Sequence, residues 1–266
     1  LSDGGVHSEI SHLFALLKLA KQHGIYKVYI HAFLDGRDVG QRSATEYLGE
    51  LEKHITKNHV GKIATVIGRA YAMDRAGRWD RTKKAYDLLL KGKGVSISAD
   101  AVFAAEKYYK RGFKDEYFPP LVFDKRGVIR GKDAVIDFNF RADRMRQLAS
   151  AMVNKKFHFF KRFQPDILFV AMAPYSKKIK TLAAFVHPHV RNTLGEVISR
   201  AGLKQLRIAE KEKFVHVTFF SNGDSDVKYP GESRVCIPSA KVKTYDLKPE
   251  MSAGKMTNRL LKDMSK

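Results

Sequence analysis

The chain has 266 residues, 44% of them hydrophobic, a single cysteine and a formal net charge of +21. That much apolar material suits one large or two ordinary cores and excludes a disordered chain, and one thiol, Cys236, excludes an intramolecular disulfide or a multi-cysteine metal site. No apolar run approaches the roughly 18 residues that span a bilayer, so the sequence predicts no membrane partner and a reducing, cytoplasmic setting, while a positive excess spread along the whole chain is not the basic tail of a nucleic-acid-binding arm.

In chain order, SEISHLFALLKLAKQH at 8–23 places Ile10, Leu13, Phe14, Leu17 and Ala20 at helical spacing ahead of Gly24. KVYIHAF at 27–33 reads as a strand, 43–58 as a helix, KIATVIG at 62–68 as a strand, and DRTKKAYDLLLKG as a helix ending at Gly92. Pro119, Pro120, Gly127 and Gly131 make 113–133 a loop or hairpin. AVIDFNF then resumes as a buried strand, a helix follows over 143–153, and the basic aromatic link KKFHFFKRF leads into the strand ILFVAMA. HPHV at 187–190 suits a hinge, because Pro188 restricts the residue before it. Beyond it come helix TLGEVISRAG, strand KQLRIAE, the amphipathic stretch EKFVHVTFF, strand RVCIPS and a helix from Ser252. The alternation predicts an α/β fold in two domains, 1–187 and 188–266, with Cys236 as a small core residue. The turn-like opening LSDGG, without an initiator methionine, predicts that residues precede Leu1.

The charged motifs fall just past strands: Asp35, Arg37 and Asp38 after the first, Arg69 and Arg75 after the second, Arg141, Asp143 and Arg144 after AVIDFNF. A single Arg–Asp pair there would be an ordinary surface ion pair. Three in the same topological place predict one shared anion site, since α/β sheets bind ligands beyond the carboxyl ends of their strands. His7 alone would be a turn residue, His187 and His189 lack the carboxylate or cysteine of a metal site, and KKFHFFKRF reads as an edge with its aromatics inward before it reads as an RNA-stacking patch. The phosphate-loop, G-x-S-x-G, H-E-x-x-H and dinucleotide patterns are all missing, so the residues themselves point to an anion site with no evident nucleophile.

Taken in series, SDGGVHSEISHLFAL, VYIHAFLDGRD, GRAYAMDRAGRWDR, FNFRADR, NTLGEVISRAGLKQLRIAE with EKFVHVTFF, and VKTYDLKPEMSA closely resemble bisphosphoglycerate-independent phosphoglycerate mutase, in that family's order and across essentially the whole chain. The resemblance implies interconversion of 3-phosphoglycerate and 2-phosphoglycerate. It implies a phosphotransferase domain with a mixed sheet and crossover helices over 1–187, and at 188–266 the middle portion of an alkaline-phosphatase-like domain. It also implies a nucleophilic serine, two divalent metal ions, usually manganese, and a monomeric cytoplasmic enzyme.

By the same resemblance the substrate ligands are His7, Arg37, Asp38, Arg69, Arg75, Arg141, Arg144 and Lys213, with Asp38 exchanging a proton with the glycerate hydroxyl. Arginine forks suit bidentate capture of carboxylate and phosphate, and Lys213 would add a point charge. The family's metal-binding aspartate and Asn-Ser nucleophile would lie before Leu1, and its Asp-His-Gly-Asn segment and later histidines after Lys266. The chain alone is therefore expected to hold no catalytic metal and to turn nothing over. Ala70, Ala76 and Asp137 depart from the family pattern without touching a ligand. The alternative is a mutase-derived, non-catalytic structural or RNA-contacting subunit, suggested by the basic charge and opposed by eight intact ligand positions.

Overall fold

The helix Ile10–Gln22 (α1) begins where the Glu9 carboxylate accepts from the Ser11 amide, and it stops at His23, with Gly24 beyond it at φ +69°. The computed structural model describes residues 1–186, 190–240, 242 and 245–264, in two units, Leu1–Val186 and His187–Lys266.

In the first unit α1 leads to strand Tyr29–Leu34 (β1), helix Ala44–Asn58 (α2), strand Lys62–Gly68 (β2), the single turn Arg69–Ala72 (α3) and helix Trp79–Lys91 (α4). Strand Val95–Ser96 (β3), helix Ala101–Lys110 (α5) and strand Leu121–Val122 (β4) follow, then strand Ala134–Asp137 (β5), helix Ala142–Val153 (α6) and strands Leu168–Ala171 (β6) and Leu182–Ala183 (β7). One sheet has the order β1-β2-β4-β3 and is mixed, β2 and β4 being antiparallel while β1–β2 and β3–β4 are parallel. The other, β5-β6-β7, is parallel. Leu17, Leu48, Leu51 and Phe118 close a core of α1, α2 and α5 against the first sheet. Ile67 and Val122 of that sheet share a second core with Tyr86 and Leu88 of α4, Met145 and Leu148 of α6 and Phe169 of the second sheet. Because α4 and α6 face both sheets through one apolar layer, the loops following β2 and β5 are carried by a common support.

The structure departs from the sequence reading at several places. Residues 113–133 form no hairpin: Leu121 and Val122, fully buried, insert as β4 between β2 and β3, while Pro119 and Pro120 end the preceding turn. Helix α5 was not anticipated, although Asp100 caps it by accepting from the Phe103 amide at 2.7 Å and Ala101, Ala104, Ala105 and Tyr108 make its buried face. Strand β5 is neither long nor buried. It ends at Asp137, whose carboxylate accepts from both the backbone and side-chain nitrogens of Asn139, at 3.2 and 3.0 Å, and Ile136 remains 51% exposed. In the link 155–163, Phe157 and Phe160 pack on the second core while Phe159 and Phe163 stay about half exposed.

The second unit contains helix Leu194–Arg200 (α7), strand Gln205–Glu210 (β8), the short helix Phe214–Val217 (α8), strand Glu232–Ile237 (β9) and helix Ala253–Met264 (α9). Strands β8 and β9 pair in parallel over six residues. Thr193 caps α7, and Glu210, buried at the end of β8, accepts from the Ser252 amide at 3.0 Å ahead of α9. Cys236 on β9 is exposed and is not the core residue expected, because a two-stranded sheet has too little cover to bury both faces. The expected hinge at 187–190 has its first three residues outside the described residues.

Candidate anion-binding site

The residues that follow β1, β2 and β5 meet in the first unit. After β1 the Asp35 carboxylate accepts from the amides of Arg37 and Asp38, at 3.1 and 3.0 Å, and closes a tight turn in which Gly36 has φ +66°. A β-carbon at Gly36 would lie 2.7 Å from Cβ of Asp115, so the turn also needs glycine for space. Gly68, the last residue of β2, runs so close to the chain at Phe118 that a β-carbon would stand 2.4 Å from that residue's nitrogen. This close approach sets the start of α3, and with it Arg69.

Arg69 is 2% exposed and acts as the hub. Its Nη1 donates to Asp35 Oδ1 and, at 2.6 Å, to Asp38 Oδ2; its Nη2 donates to His7 Nε2 at 2.8 Å. A guanidinium can only donate, so Nε2 of His7 is the acceptor and the ring proton sits on Nδ1. Burial first, then the Arg69 charge, lower the His7 pKa to about 4, against the pull of Asp38 3.3 Å away. His7 is thus a neutral imidazole at physiological pH, and its buried Nδ1–H has no partner among the described residues. Burial works to raise the Asp35 pKa, but the Asp38 amide, the Ser2 hydroxyl and Arg69 outweigh it and hold the group near 2. The His7 carbonyl accepts from the Phe140 amide at 2.8 Å, tying the N-terminal loop to the segment ahead of α6.

On the other side, Asp143 in the first turn of α6 bridges two arginines, bonding Arg75 Nη1 at 2.6 Å and Arg141 Nε at 3.0 Å. Arg37 is exposed, with Glu116 at 3.5 Å. Arg144 differs from the others. It donates to the Met73 carbonyl at 3.3 Å and makes no ion pair among the described residues; its buried Nε, like that of Arg69, has no hydrogen-bond partner among them. Burial first, then the charges of Arg69, Arg75 and Arg37, lower its pKa to about 10 against the opposing pull of Asp143, so it stays protonated at neutral pH in a surplus of positive charge. A centre of this kind favours a multivalent oxyanion that can accept several charge-assisted bonds at once.

The structure therefore brings together seven of the eight sequence-predicted residues: His7, Arg37, Asp38, Arg69, Arg75, Arg141 and Arg144. The eighth, Lys213, is exposed at the start of α8 in the second unit, where its amide donates to the Glu210 carbonyl at 2.9 Å. Sequence reasoning missed the support. Asp74, buried, holds the turn bearing Arg75 through the amides of Ala76 and Arg78, and Tyr175, also buried, donates to the Asn139 carbonyl at 2.7 Å beneath the 138–141 segment. The acidic residue inside YAMDR was the one visible signal for Asp74. Among the described residues no three of His, Cys, Asp and Glu stand close enough to hold a metal ion. A surface cleft of about 400 Å³ lies elsewhere, between Val153, Asp166, Leu168 and Lys180. In the 155–163 link, Phe159 stacks on Trp79 at 3.8 Å and on His158 at 4.3 Å, so its ring is already engaged by two neighbours.

Residues 1–177 match the family model described as BPG-independent PGAM N-terminus. The chain is 51% identical to 2,3-bisphosphoglycerate-independent phosphoglycerate mutase 1 of Methanosarcina barkeri, over 98% of the chain and 52% of that protein. It is 49% identical to the 2,3-bisphosphoglycerate-independent phosphoglycerate mutase of Moorella thermoacetica, over 100% of the chain and 53% of that protein. Among solved structures it is similar to Leishmania mexicana phosphoglycerate mutase, crystallised at low cobalt concentration, with a TM-score of 0.83 and 28% identity over 100% of the chain and 51% of that structure. The chain spans about half the length of the curated relatives it matches.

Proposed function

Because the chain belongs to the BPG-independent PGAM N-terminus family, we propose that its arginine cluster binds 3-phosphoglycerate and 2-phosphoglycerate and supplies the substrate-holding part of a phosphoglycerate mutase. The observation that carries this reading is Arg144, a half-buried cation that makes no ion pair among the described residues and has three other arginines around it. The separate phosphate and carboxylate groups of a small glycerate match a cluster with separate arginines on α3, on the turn after it and on α6. Among the described residues the Asp38 carboxylate accepts through Oδ2 from Arg69, with the His7 ring nitrogen 3.3 Å from the same oxygen. Oδ1 is left for the substrate oxygen, where the carboxyl gives up a proton as phosphate leaves that oxygen and takes one up as phosphate arrives on it. Arg69 fixes the carboxylate's orientation, and neutral His7 offers Nδ1–H as a hydrogen-bond donor without adding charge.

Transfer of the phosphoryl group is assigned to segments of a longer protein, with a serine nucleophile and two divalent ions, manganese being the expected metal; these ions would neutralise charge and activate the nucleophile. The same reading makes residues 1–187 the phosphotransferase domain and 188–266, which include Lys213, part of an alkaline-phosphatase-like domain. It places the protein in glycolysis or gluconeogenesis, in the cytoplasm, as a monomer. No helix among the described residues is long and apolar enough to cross a membrane.

The test is calorimetric titration of the 266-residue chain with 3-phosphoglycerate, alongside a turnover assay with manganese. Binding without turnover is expected. Arg144→Ala should cost about 2–4 kcal/mol of binding, the scale of desolvated charge-assisted bonds, and Arg200→Ala, which removes an exposed partner of Glu196, should cost nothing measurable. Equal affinity of the Arg144→Ala and unaltered chains would remove the reading's main support, and turnover by the chain alone would show that the nucleophile had been missed.

A further inference from the structure

Arg75 stands on the turn between α3 and α4, whereas Arg141 and Arg144 stand at the start of α6, so the reach of the cluster depends on how that turn is fastened to that helix. Arg75 itself contributes a fastening through Asp143, but an incoming oxyanion competes for the same guanidinium. Gln147 provides another. It lies one turn beyond Arg144 on α6, half-buried, and spans the gap with both ends of its amide. Oε1 accepts from the Gly77 amide at 2.8 Å, while Nε2 donates to Asp74 Oδ1 at 3.1 Å and to Thr82 Oγ1 at 2.9 Å. Asp74 and Thr82 are both buried, and the same Asp74 oxygen also accepts from the amides of Ala76 and Arg78. Turning the amide over would set its NH2 against the Gly77 N–H and its oxygen against the Asp74 carboxylate, so one orientation is enforced.

We propose that Gln147 is a positioning residue of the anion site: it clamps both ends of the Asp74–Arg78 turn to α6 and so holds Arg75 in reach of the ligand when the Arg75–Asp143 pair gives way. None of its three bonds involves a group that the anion would displace. The proposal rests on the reading of the cluster as a phosphoglycerate site, and it predicts that Gln147 acts through Arg75 and not on the ligand.

The experiment uses the whole 266-residue chain, with 3-phosphoglycerate as the probe, and compares Gln147→Leu, Arg75→Ala and the double variant by calorimetry. Gln147→Leu is expected to weaken binding roughly tenfold alone and less than about twofold on top of Arg75→Ala, the non-additivity of residues acting as one unit. Full additivity, or unaltered affinity of the folded single variant, overturns the proposal. Amide hydrogen exchange without ligand provides an independent readout. Gly77 and Arg78 should exchange at least about tenfold faster in Gln147→Leu, with Leu88 in the middle of α4 unchanged. If the unaltered chain does not bind 3-phosphoglycerate, the site reading fails, and the exchange result still decides the clamp, unchanged protection at Gly77 ruling it out. Should Gln147→Leu not fold, Gln147→Glu keeps the volume and the Gly77 acceptor while opposing Asp74 with a second carboxylate. Its deficit relative to the unaltered chain should shrink as acidification protonates the introduced group, and a deficit that does not change with pH counts against the clamp.

Discussion

Arg69 and Asp38 are joined at 2.6 Å across 31 residues of chain, and the arginine that makes the bond is almost completely withdrawn from water. It also satisfies Asp35 and His7, so its loss leaves two carboxylates and an imidazole without their shared donor. Arg69→Ala is expected to cost about 3–5 kcal/mol of stability, the range for breaking a buried ion pair from one side. Arg69→Lys, which keeps the charge but cannot fork, should fall between that variant and the native chain. Urea unfolding of the three proteins is the measurement, and a loss under about 1 kcal/mol for the alanine variant would mean that the hub is dispensable.

Two histidines should remain neutral far below the usual imidazole range. Burial, assisted at His7 by Arg69, lowers the pKa of both His7 and His31 to about 4; His31 also bonds Thr65 Oγ1 at 2.8 Å. The unfolded chain takes up these protons near pH 6.5 and the folded one only near 4. Their contribution to stability is therefore whole above pH 6.5 and is lost as pH falls to about 4, on the order of 3 kcal/mol for each. Imidazole nitrogen shifts recorded at pH 5.5 should report both rings neutral, and a protonated His7 at that pH would contradict the Arg69 contact.

Asp137 acts in the opposite sense. Burial raises its pKa to about 6, although hydrogen bonds from Asn139 and Tyr175 pull it down. The folded state holds a proton that the unfolded state releases near pH 4, so the cost is absent below that value, grows between about 4 and 6, and is complete at neutral pH. Asp137→Asn removes the charge and should stabilise the chain at pH 7 by about 1–3 kcal/mol while leaving it unchanged at pH 3.5. Thermal melts at the two pH values test this, and a destabilised asparagine variant at pH 7 would show that the carboxylate's bonds to Asn139 outweigh its burial.

Asp38→Asn keeps the shape of the side chain and removes a proton acceptor. In a form of the protein that turns over phosphoglycerate, binding should persist while turnover drops by at least ~100-fold, the scale of a general acid or base. Normal turnover would reduce Asp38 to a positioning role and move the proton transfers elsewhere.

The residues gathered at the candidate anion site were legible in the sequence as punctuation. Asp35, Arg37 and Asp38 follow an apolar run that ends at Leu34, and Arg69 follows one that ends at Gly68, so their place beyond strand ends needs only a β-branched or aromatic run and a breaker. Their order in the motifs carried the family, and helical spacing carried α1, α2, α4 and α6. Helix α5 was equally legible, through the Asp100 cap and its alanine face, and was overlooked.

What the tertiary structure decided was which of the charges lost contact with water. Nothing local distinguishes Arg69 from Arg37, yet one is sealed by contacts to residues 31 to 62 positions away and the other remains exposed. The insertion of Leu121–Val122 between β2 and β3, the stop of β5 at Asp137 and the exposure of Cys236 likewise depended on neighbours remote in the chain. Sequence periodicity reports how a segment orients its own side chains. The solvation of a charge, and so its pKa and its availability to a ligand, is set by every segment packed around it, and that arrangement exists only once the chain has folded.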